Sequence, residues 1–519
     1  MSGAPSPIAA RTLVDDFLRM TAIDHPDAPA IGSKADEIDF RTLDARVNQV
    51  ANGLGTAGEV GDRVAILGRN SAEQVELLLG CARARQVALP INWRLSAPEI
   101  GYILEHSGAR RIFVDSTFAE TVEAALSGNG VPIHLLDGIG ERDFAAWRDR
   151  QDDVVVTQRG APDDIVLQMY TSGTTGLPKG VLLSNANVMA SVEIFSQGAL
   201  HLAPGDVIYA PAPMFHITGI GPVLRCAQSG ARLVLSRVFD PDEAVRLMSR
   251  ERVTYTTLAP AMIQACLASP ELDTVDLGAL RLIVYGGSPI SEAVLREARA
   301  RVGCEFAQCY GLTETTGPIT LLTPEDHRPG RDKLASCGRA AGDIAIMIAD
   351  RDGAPLPVGE TGEILVRGSV VMAGYASDAQ ATAATMADDW LRTGDAGYVD
   401  DQGYLFIRDR VKDMIVSGGE NIYPVEVENA LQAHPAVADV AVIGVPDQRW
   451  GEAVMALVVP ADEGASMEAI LAFCRDRIAG YKCPKEIRFT DVILRNAAGK
   501  ILRREIRKPF WEGMARLVG

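Results

Sequence analysis

Asp164-Ile165-Val166-Leu167-Gln168-Met169, followed at once by Tyr170-Thr171-Ser172-Gly173-Thr174-Thr175-Gly176-Leu177-Pro178-Lys179-Gly180, is the stretch from which the fold is read. An apolar run leading into a Gly/Ser/Thr loop gives a strand followed by a turn, the context that a phosphate cradle needs. Glycines let the backbone approach an oxyanion and present successive N–H groups. Thr171, Ser172, Thr174 and Thr175 add hydroxyl donors, and Lys179 adds charge. The spacing departs from the Walker pattern, because Lys179 follows Leu177-Pro178 and no Ser or Thr follows it, so a P-loop NTPase is disfavoured. An ordinary polar surface turn is the alternative, and the length of the segment behind a strand weighs against it.

On the N-terminal side, apolar runs alternate with helical stretches from Arg63 to about Leu136, among them Ala72–Ala84 and Ala97–Ser107. This alternation is an α/β pattern. Ser96 with Glu99 three residues on has the spacing of a capping box, and Pro98 suits the first turn of a helix starting near Ala97. A second α/β series spans about 207 to 311. After Gly338 the texture changes to alternating apolar residues with turn signals, predicting a small antiparallel unit. Past about Arg410, two strand-like runs, a helix over Met467–Ile478 and a basic end from Arg495 to Lys508 predict a separate α+β domain.

The 519 residues, 47% hydrophobic and 23% charged, exclude intrinsic disorder as the main state. Acidic residues outnumber basic ones by 68 to 50, a formal charge of −18, which argues against a nucleic-acid or anionic-membrane binder. Eight scattered cysteines with no zinc spacing read as buried thiols in a reducing compartment. The start has no basic stretch leading into an apolar one, and the longest uncharged run, Val207–Leu224, is broken by Pro211, Pro213 and Pro222. A cytoplasmic protein without an integral membrane segment is expected.

Further motifs occur in order: Pro213-Met214-Phe215-His216 followed by Gly219; Tyr285-Gly286-Gly287-Ser288-Pro289; Tyr310-Gly311-Leu312-Thr313-Glu314-Thr315; Trp390-Leu391-Arg392-Thr393-Gly394-Asp395; Arg410-Val411-Lys412-Asp413; and Gly499-Lys500. Over nearly the whole chain this series resembles the adenylate-forming superfamily, which contains acyl-CoA synthetases. The resemblance implies an α/β fold. Residues 1–411 would form a large N-terminal domain of α/β subdomains with a small β-barrel-like unit, and 412–519 a mobile α+β domain hinged at Lys412. It implies ATP, Mg²⁺ and coenzyme A as cofactors, a small carboxylic acid as substrate, and room for a homodimer.

The resemblance assigns catalysis to Lys500, Lys179, Thr313, Glu314 and His216, with Glu314 also the Mg²⁺ ligand. Nucleotide contacts fall to Thr171, Ser172, Gly173, Thr174, Thr175, Gly176, Gly287, Ser288, Pro289, Tyr310, Gly311, Asp395 and Arg410. The last two would take the ribose hydroxyls, and Trp450 and Tyr481 would contact CoA. Physical chemistry agrees in kind, since an aromatic ring can cover a purine and Mg²⁺ prefers oxygen ligands. The implied reaction joins a carboxylate to AMP with loss of pyrophosphate, after which a thiol displaces AMP.

The segment 213–221 contains no acidic residue, so an amino-acid substrate would bury an ammonium without a partner. A plain carboxylic acid is the better reading. Gly219 and Gly221 around Ile220 suggest an open apolar channel for a medium or long chain or a bulky cyclic acid, although glycines can also serve helix packing. Cys483 stands where some relatives carry an arginine for the CoA phosphates. The alternative to a CoA ligase is an adenylating enzyme that performs one half-reaction or loads a carrier protein.

Overall fold

Both α/β series close into largely parallel sheets. The computed structural model describes residues 12–512 apart from 35, 57, 127–129, 139, 141, 172–176, 197–199, 289, 332, 411–412, 418–419, 448–449, 463 and 496–498. The loop residues Ser172, Gly173, Thr174, Thr175 and Gly176, together with Pro289 and the hinge residue Lys412, therefore lie outside the described residues, and Arg410 is described by its backbone alone.

The first series builds a seven-stranded sheet in the order Gly374–Tyr375, Lys179–Ser184, Ile165–Thr171, Val87–Ile91, Arg63–Leu67, Arg111–Val114, Ile133–Leu135. Its strands from Ile165–Thr171 to Ile133–Leu135 run parallel. Leu67, Leu89 and Val114 are fully buried between helical layers, each worth about 1.5–3 kcal/mol relative to exposure. The expected capping box is present: the Ser96 N–H and hydroxyl both donate to the Glu99 carboxylate, at 2.8 and 2.6 Å. Arg83, at the end of helix Ala72–Arg83, is wholly interior and donates to Asp15, Asp44 and the Asn48 side chain at 2.6–2.9 Å.

The second series gives a nine-stranded sheet: Arg339–Ala340, Gly317–Leu322, Glu305–Leu312, Leu282–Gly286, Tyr255–Leu258, Val207–Ala210, Arg232–Leu235, Pro29–Ile31, Ile38–Asp39. The interior strands are parallel and the two edges antiparallel. Helix Ile217–Ser229 packs on one face, and helices Pro241–Arg250, Pro260–Ala268 and Glu292–Val302 cover the other. The antiparallel unit expected after Gly338 consists of Ala345–Ala349, Gly362–Arg367, Trp390–Val399, Met386–Ala387 and Leu405–Arg410.

The C-terminal unit begins with strand Ile415–Ser417 and holds Glu420–Ile422, Val437–Asp447, Gly451–Pro460 and Glu486–Phe489 around its own core. Its helix, expected over Met467–Ile478, ends at Arg475. One further sequence expectation is corrected: Lys179 is not a loop residue but opens a strand, paired with Thr171. Within the basic end, Arg503 turns inward: its side chain is 11% exposed and pairs with Glu428, with Asp413 at 4.0 Å. Among the described residues no helix is long and apolar enough to cross a membrane.

Candidate active site

The parallel strands Val207–Ala210, Tyr255–Leu258, Leu282–Gly286 and Glu305–Leu312 finish at one edge of the nine-stranded sheet. The segments that leave it carry His216, Pro260, Gly287, Ser288, Thr313 and Glu314. Loops at the carboxyl ends of parallel strands are where open α/β sheets bind ligands. Close approach shapes this edge. A Cβ on Gly311 would lie 1.7 Å from the Gly317 carbonyl oxygen, so only glycine allows the two strands to meet there. Between them a short turn, Thr313–Thr315, ends with Thr316 in the left-handed region at φ 54°. Its hydroxyl donates to the Val370 carbonyl at 2.8 Å, and the Thr315 hydroxyl lies 2.7 Å from the Gly317 carbonyl. These bonds orient Thr313 and Glu314.

Glu314 joins the two sheets. Its Oε1 accepts the Tyr375 hydroxyl at 3.0 Å and lies 3.5 Å from the Thr171 hydroxyl. Lys179 stands over the Tyr375 ring, 4.8 Å from its centroid. Burial, and then the Glu314 charge, push the Tyr375 hydroxyl well above the ordinary tyrosine range, which keeps it a donor. Lys179, Glu314 and Thr171, distant in sequence, thus meet around a tyrosine that no motif identified. Its signal is visible only in space.

A second cluster lies where the antiparallel unit meets the sheet. The Tyr310 hydroxyl donates to Asp395 Oδ2 at 2.6 Å, the Asp395 N–H donates to the Thr393 hydroxyl at 3.1 Å, and Arg410 is the cross-strand partner of Asp395. Asp395 is 4% exposed. The Asp395 carboxylate expected to receive ribose hydroxyls thus also accepts Tyr310, which fixes the angle of that ring, and its oxygens keep further acceptor sites.

His216 caps helix Ile217–Ser229 and packs against Phe215, with ring centroids 4.5 Å apart. Its Nε2 is buried with no hydrogen-bond partner among the described residues. Burial, then the charges of Arg94 and Lys500, hold it down to about 4, so the ring is neutral at neutral pH. A neutral ring cannot serve as a charged donor, but its unpaired edge can orient a carboxylate or a phosphate. Lys500, in the C-terminal unit, reaches this site: its charge is felt at His216, and a Cβ on the adjacent Gly499 would sit 3.7 Å from Ala261 of helix Pro260–Ala268. Arg94, 4.1 Å from the Trp93 ring centroid and 5.6 Å from that of Phe215, also escaped sequence reasoning, since nothing local links it to His216.

The two channel glycines separate. A Cβ on Gly219 would fall 2.2 Å from the Pro213 carbonyl oxygen and 2.7 Å from that of Ala212, so Gly219 serves backbone packing. Gly221 has no described atom within 4 Å of such a Cβ and faces open space. Trp450 and Tyr481, expected to contact CoA, are 39% and 45% exposed on the C-terminal unit. Cys483 is 2% exposed.

Residues 18–376 match the family model of the AMP-binding enzyme, and 426–500 match the AMP-binding enzyme C-terminal domain. The chain belongs to the AMP-binding enzyme family. It is an adenylate-forming acid–thiol ligase. This AMP-binding enzyme is 40% identical over 499 residues to the fatty acid–[acyl-carrier-protein] ligase ScoC of Streptomyces coeruleorubidus, covering 95% of each chain. It is 39% identical to a feruloyl-CoA synthase of an Amycolatopsis species, over 93% of this chain and 96% of that one. The o-succinylbenzoate CoA synthetase of Bacillus subtilis, solved with its acyl-adenylate intermediate, superposes with a TM-score of 0.84 at 32% identity, covering 95% of this chain and 98% of the other.

Proposed function

We propose that the enzyme uses ATP to convert a carboxylic acid without an amino group to its acyl-AMP and then transfers the acyl group to coenzyme A. The observation that carries this reading is the meeting of Lys179, Thr171, Glu314 and Tyr375 from two sheets, with Lys500 brought to the same edge by a third unit.

In the first step a carboxylate oxygen attacks the α-phosphorus of ATP and pyrophosphate leaves. An anion must approach a polyanion, so the barrier is mainly electrostatic. Lys179 and Lys500 lower it by supplying positive charge. Asp395 and Tyr310 fix the nucleoside, and His216 offers a neutral edge to orient the attacking carboxylate. Glu314 is the carboxylate that would hold Mg²⁺. Among the described residues no group of three His, Cys, Asp or Glu could hold a metal ion; Mg²⁺ is usually held through one or two carboxylates with substrate phosphates and water. Bound there, Mg²⁺ would offset negative charge on the phosphates. In the second step a thiol sulfur attacks the acyl carbon and AMP leaves with its bonding electrons.

Residues 411–414 join the antiparallel unit to the C-terminal unit, and a rotation there, about Lys412, would exchange Lys500 for the CoA-facing surface that carries Trp450 and Tyr481. Cytoplasmic residence and a homodimer go with this reading; light scattering of the purified chain tests the second. The test of function is a panel of carboxylic acids with ATP, with and without CoA, read by mass spectrometry. Acid-dependent acyl-AMP and CoA-dependent acyl-CoA are expected, and ATP binding without either product would overturn the proposal. The likeness to an acyl-carrier-protein ligase favours a second reading, in which acyl-AMP forms but only a carrier-protein thiol accepts the acyl group.

A further inference from the structure

Helix Ala97–Ser107 packs with the strands of the seven-stranded sheet through Ile100, Ile103 and Leu104. Tyr102 and His106, four residues apart, share one of its faces, and their rings stack with centroids 5.4 Å apart and planes at 27°. Both side chains reach the strand pair that carries Thr171 and Lys179. His106 Nδ1 lies 2.7 Å from the Tyr170 hydroxyl, and the two rings meet edge to face at 5.8 Å. The Tyr102 hydroxyl donates to the Pro178 carbonyl at 3.3 Å. Each contact falls one residue before a site residue, one on either side of the pair.

The hydrogen in the first contact is placed by its neighbours. Arg63 Nε donates to Gln168 Oε1 at 3.1 Å, which turns the Gln168 amide N–H toward the Tyr170 hydroxyl, 3.2 Å away. The phenol oxygen accepts from Gln168 and therefore gives its one hydrogen to His106 Nδ1. Burial pushes the Tyr170 hydroxyl well above the ordinary tyrosine range, so that hydrogen is kept. Side chains alternate along a strand, so a Tyr170 directed at the helix sends Thr171 to the opposite face, where its hydroxyl is 3.5 Å from Glu314. Lys179, the cross-strand partner of Thr171, shares that face. Tyr170 pairs with Gly180, where a Cβ would stand 3.1 Å from the Tyr170 ring and 2.8 Å from the Gln168 amide, so glycine leaves the ring its place across the pair. A slip of one residue would turn Thr171 and Lys179 away from Glu314.

We infer that Tyr102 and His106 are positioning residues for the ATP step: by holding Pro178 and Tyr170 they aim Lys179 and Thr171 at the phosphates beside Glu314. This rests on the reading of the site as an acid-activating one. Each acts through the strand residue it holds. Donors stabilise a transition state only when they are placed before reaction, and a misplacement of about 1 Å can cost about 10²-fold. Attack of CoA on acyl-AMP involves no pyrophosphate, so loss of this clamp should be confined to the first half-reaction.

The experiment measures kcat and KM for ATP in pyrophosphate exchange, with an acid that the panel shows to be activated, and separately acyl-CoA formation from supplied acyl-AMP and CoA. It uses the intact enzyme, Tyr102→Phe, His106→Leu, His106→Asn, Tyr170→Phe and the double variant of His106→Leu with Tyr170→Phe, with melting temperatures recorded for all. Tyr102→Phe should lower kcat/KM for ATP about threefold and His106→Leu about tenfold, the range for losing one hydrogen bond. His106→Asn keeps an acceptor in the place of Nδ1 and should stay within about twofold of the intact enzyme. Thioester formation should be unaltered in every variant. The double variant should lose no more than His106→Leu alone, because the histidine acts through Tyr170. Tyr102→Phe and His106→Asn keep the shapes of the side chains and provide the test if His106→Leu does not fold. Unaltered exchange in Tyr102→Phe, equal loss in both half-reactions, losses that multiply in the double variant, or His106→Asn as poor as His106→Leu would each overturn the inference and leave the proposed function standing. Absence of acyl-AMP from the intact enzyme with any acid would instead overturn the proposed function, and this inference with it.

Discussion

Gly219 and Gly221 are chemically identical, two positions apart, and do different work, which only the atoms around them reveal. Glycine in a helix interior costs about 0.5–1 kcal/mol against alanine. At Gly219 a side chain would strike the backbone of Ala212 and Pro213, so Gly219→Ala should destabilise by about 1–3 kcal/mol, read in denaturant unfolding, and should lose activity toward short and long acids alike. At Gly221 the space is open, so Gly221→Ile should keep the melting temperature while discriminating against long acids. Equal loss for all acids at Gly221 would remove the channel. Tyr375 makes the complementary point. Residue types and spacing pointed to Lys179 and Glu314, yet the ring between them lies about 60 residues beyond Glu314 and belongs to no motif. Lys179→Ala should lower acyl-AMP formation roughly 10²-fold in a folded protein. Tyr375→Phe, which loses the bond to Glu314, should cost about tenfold. Pyrophosphate exchange measures both, and an unaffected Lys179→Ala enzyme would refute a phosphate role for the lysine.

At the scale of elements, what the sequence makes legible is what is local. The Ser96–Glu99 capping box and the strand leading into Thr171 are set by neighbours in the chain, and both occur where the pattern puts them. Lys179 opening a strand, and Arg503 turning inward to Glu428, depend on partners that sequence spacing does not contain. Helix Ala72–Arg83 shows the energetic side of this. It ends in a fully buried guanidinium that ties helices Val14–Asp24 and Phe40–Thr56 together through Asp15, Asp44 and Asn48. Removing one member of such a network leaves charges buried and unpaired, so Arg83→Ala should destabilise by about 3–5 kcal/mol. Denaturant unfolding measures it, and a loss below about 1 kcal/mol would mean that water takes the place of the arginine.

At the scale of the molecule, three histidines from separate regions share one condition. Burial holds His134, His216 and His327 each down to about 4 against an ordinary 6.5. For His327 the geometry shows why: Nδ1 donates to the Thr323 carbonyl at 2.7 Å, leaving Nε2 to accept the Tyr285 hydroxyl at 2.9 Å, and protonation would destroy that acceptor. The unfolded chain therefore binds more protons than the folded one between pH 6.5 and about 4, and stability must fall as pH drops through that window. Melting temperatures across it should show a decline that is shallower in His327→Gln; identical slopes would acquit that residue.

On the proposed mechanism the C-terminal unit serves both steps. Lys500 reaches the His216 edge from a unit joined to the rest by residues 411–414, so its charge is available only while the two units keep this arrangement. Lys500→Ala should slow acyl-AMP formation roughly 10²-fold or more, whereas attack of CoA on supplied acyl-AMP should stay near normal. Lys412 lies in the connection, and proline there fixes φ near −65°. If that φ matches the arrangement in which Lys500 faces His216, Lys412→Pro should accumulate acyl-AMP and fail at thioester formation, the signature of a blocked conformational step. Supplying isolated acyl-AMP separates the cases. Equal loss of both half-reactions in Lys500→Ala would mean that the lysine acts in both steps. Full thioester formation by Lys412→Pro would mean that one arrangement performs both, and the short connection at 411–414 would then be a tether with no part in turnover.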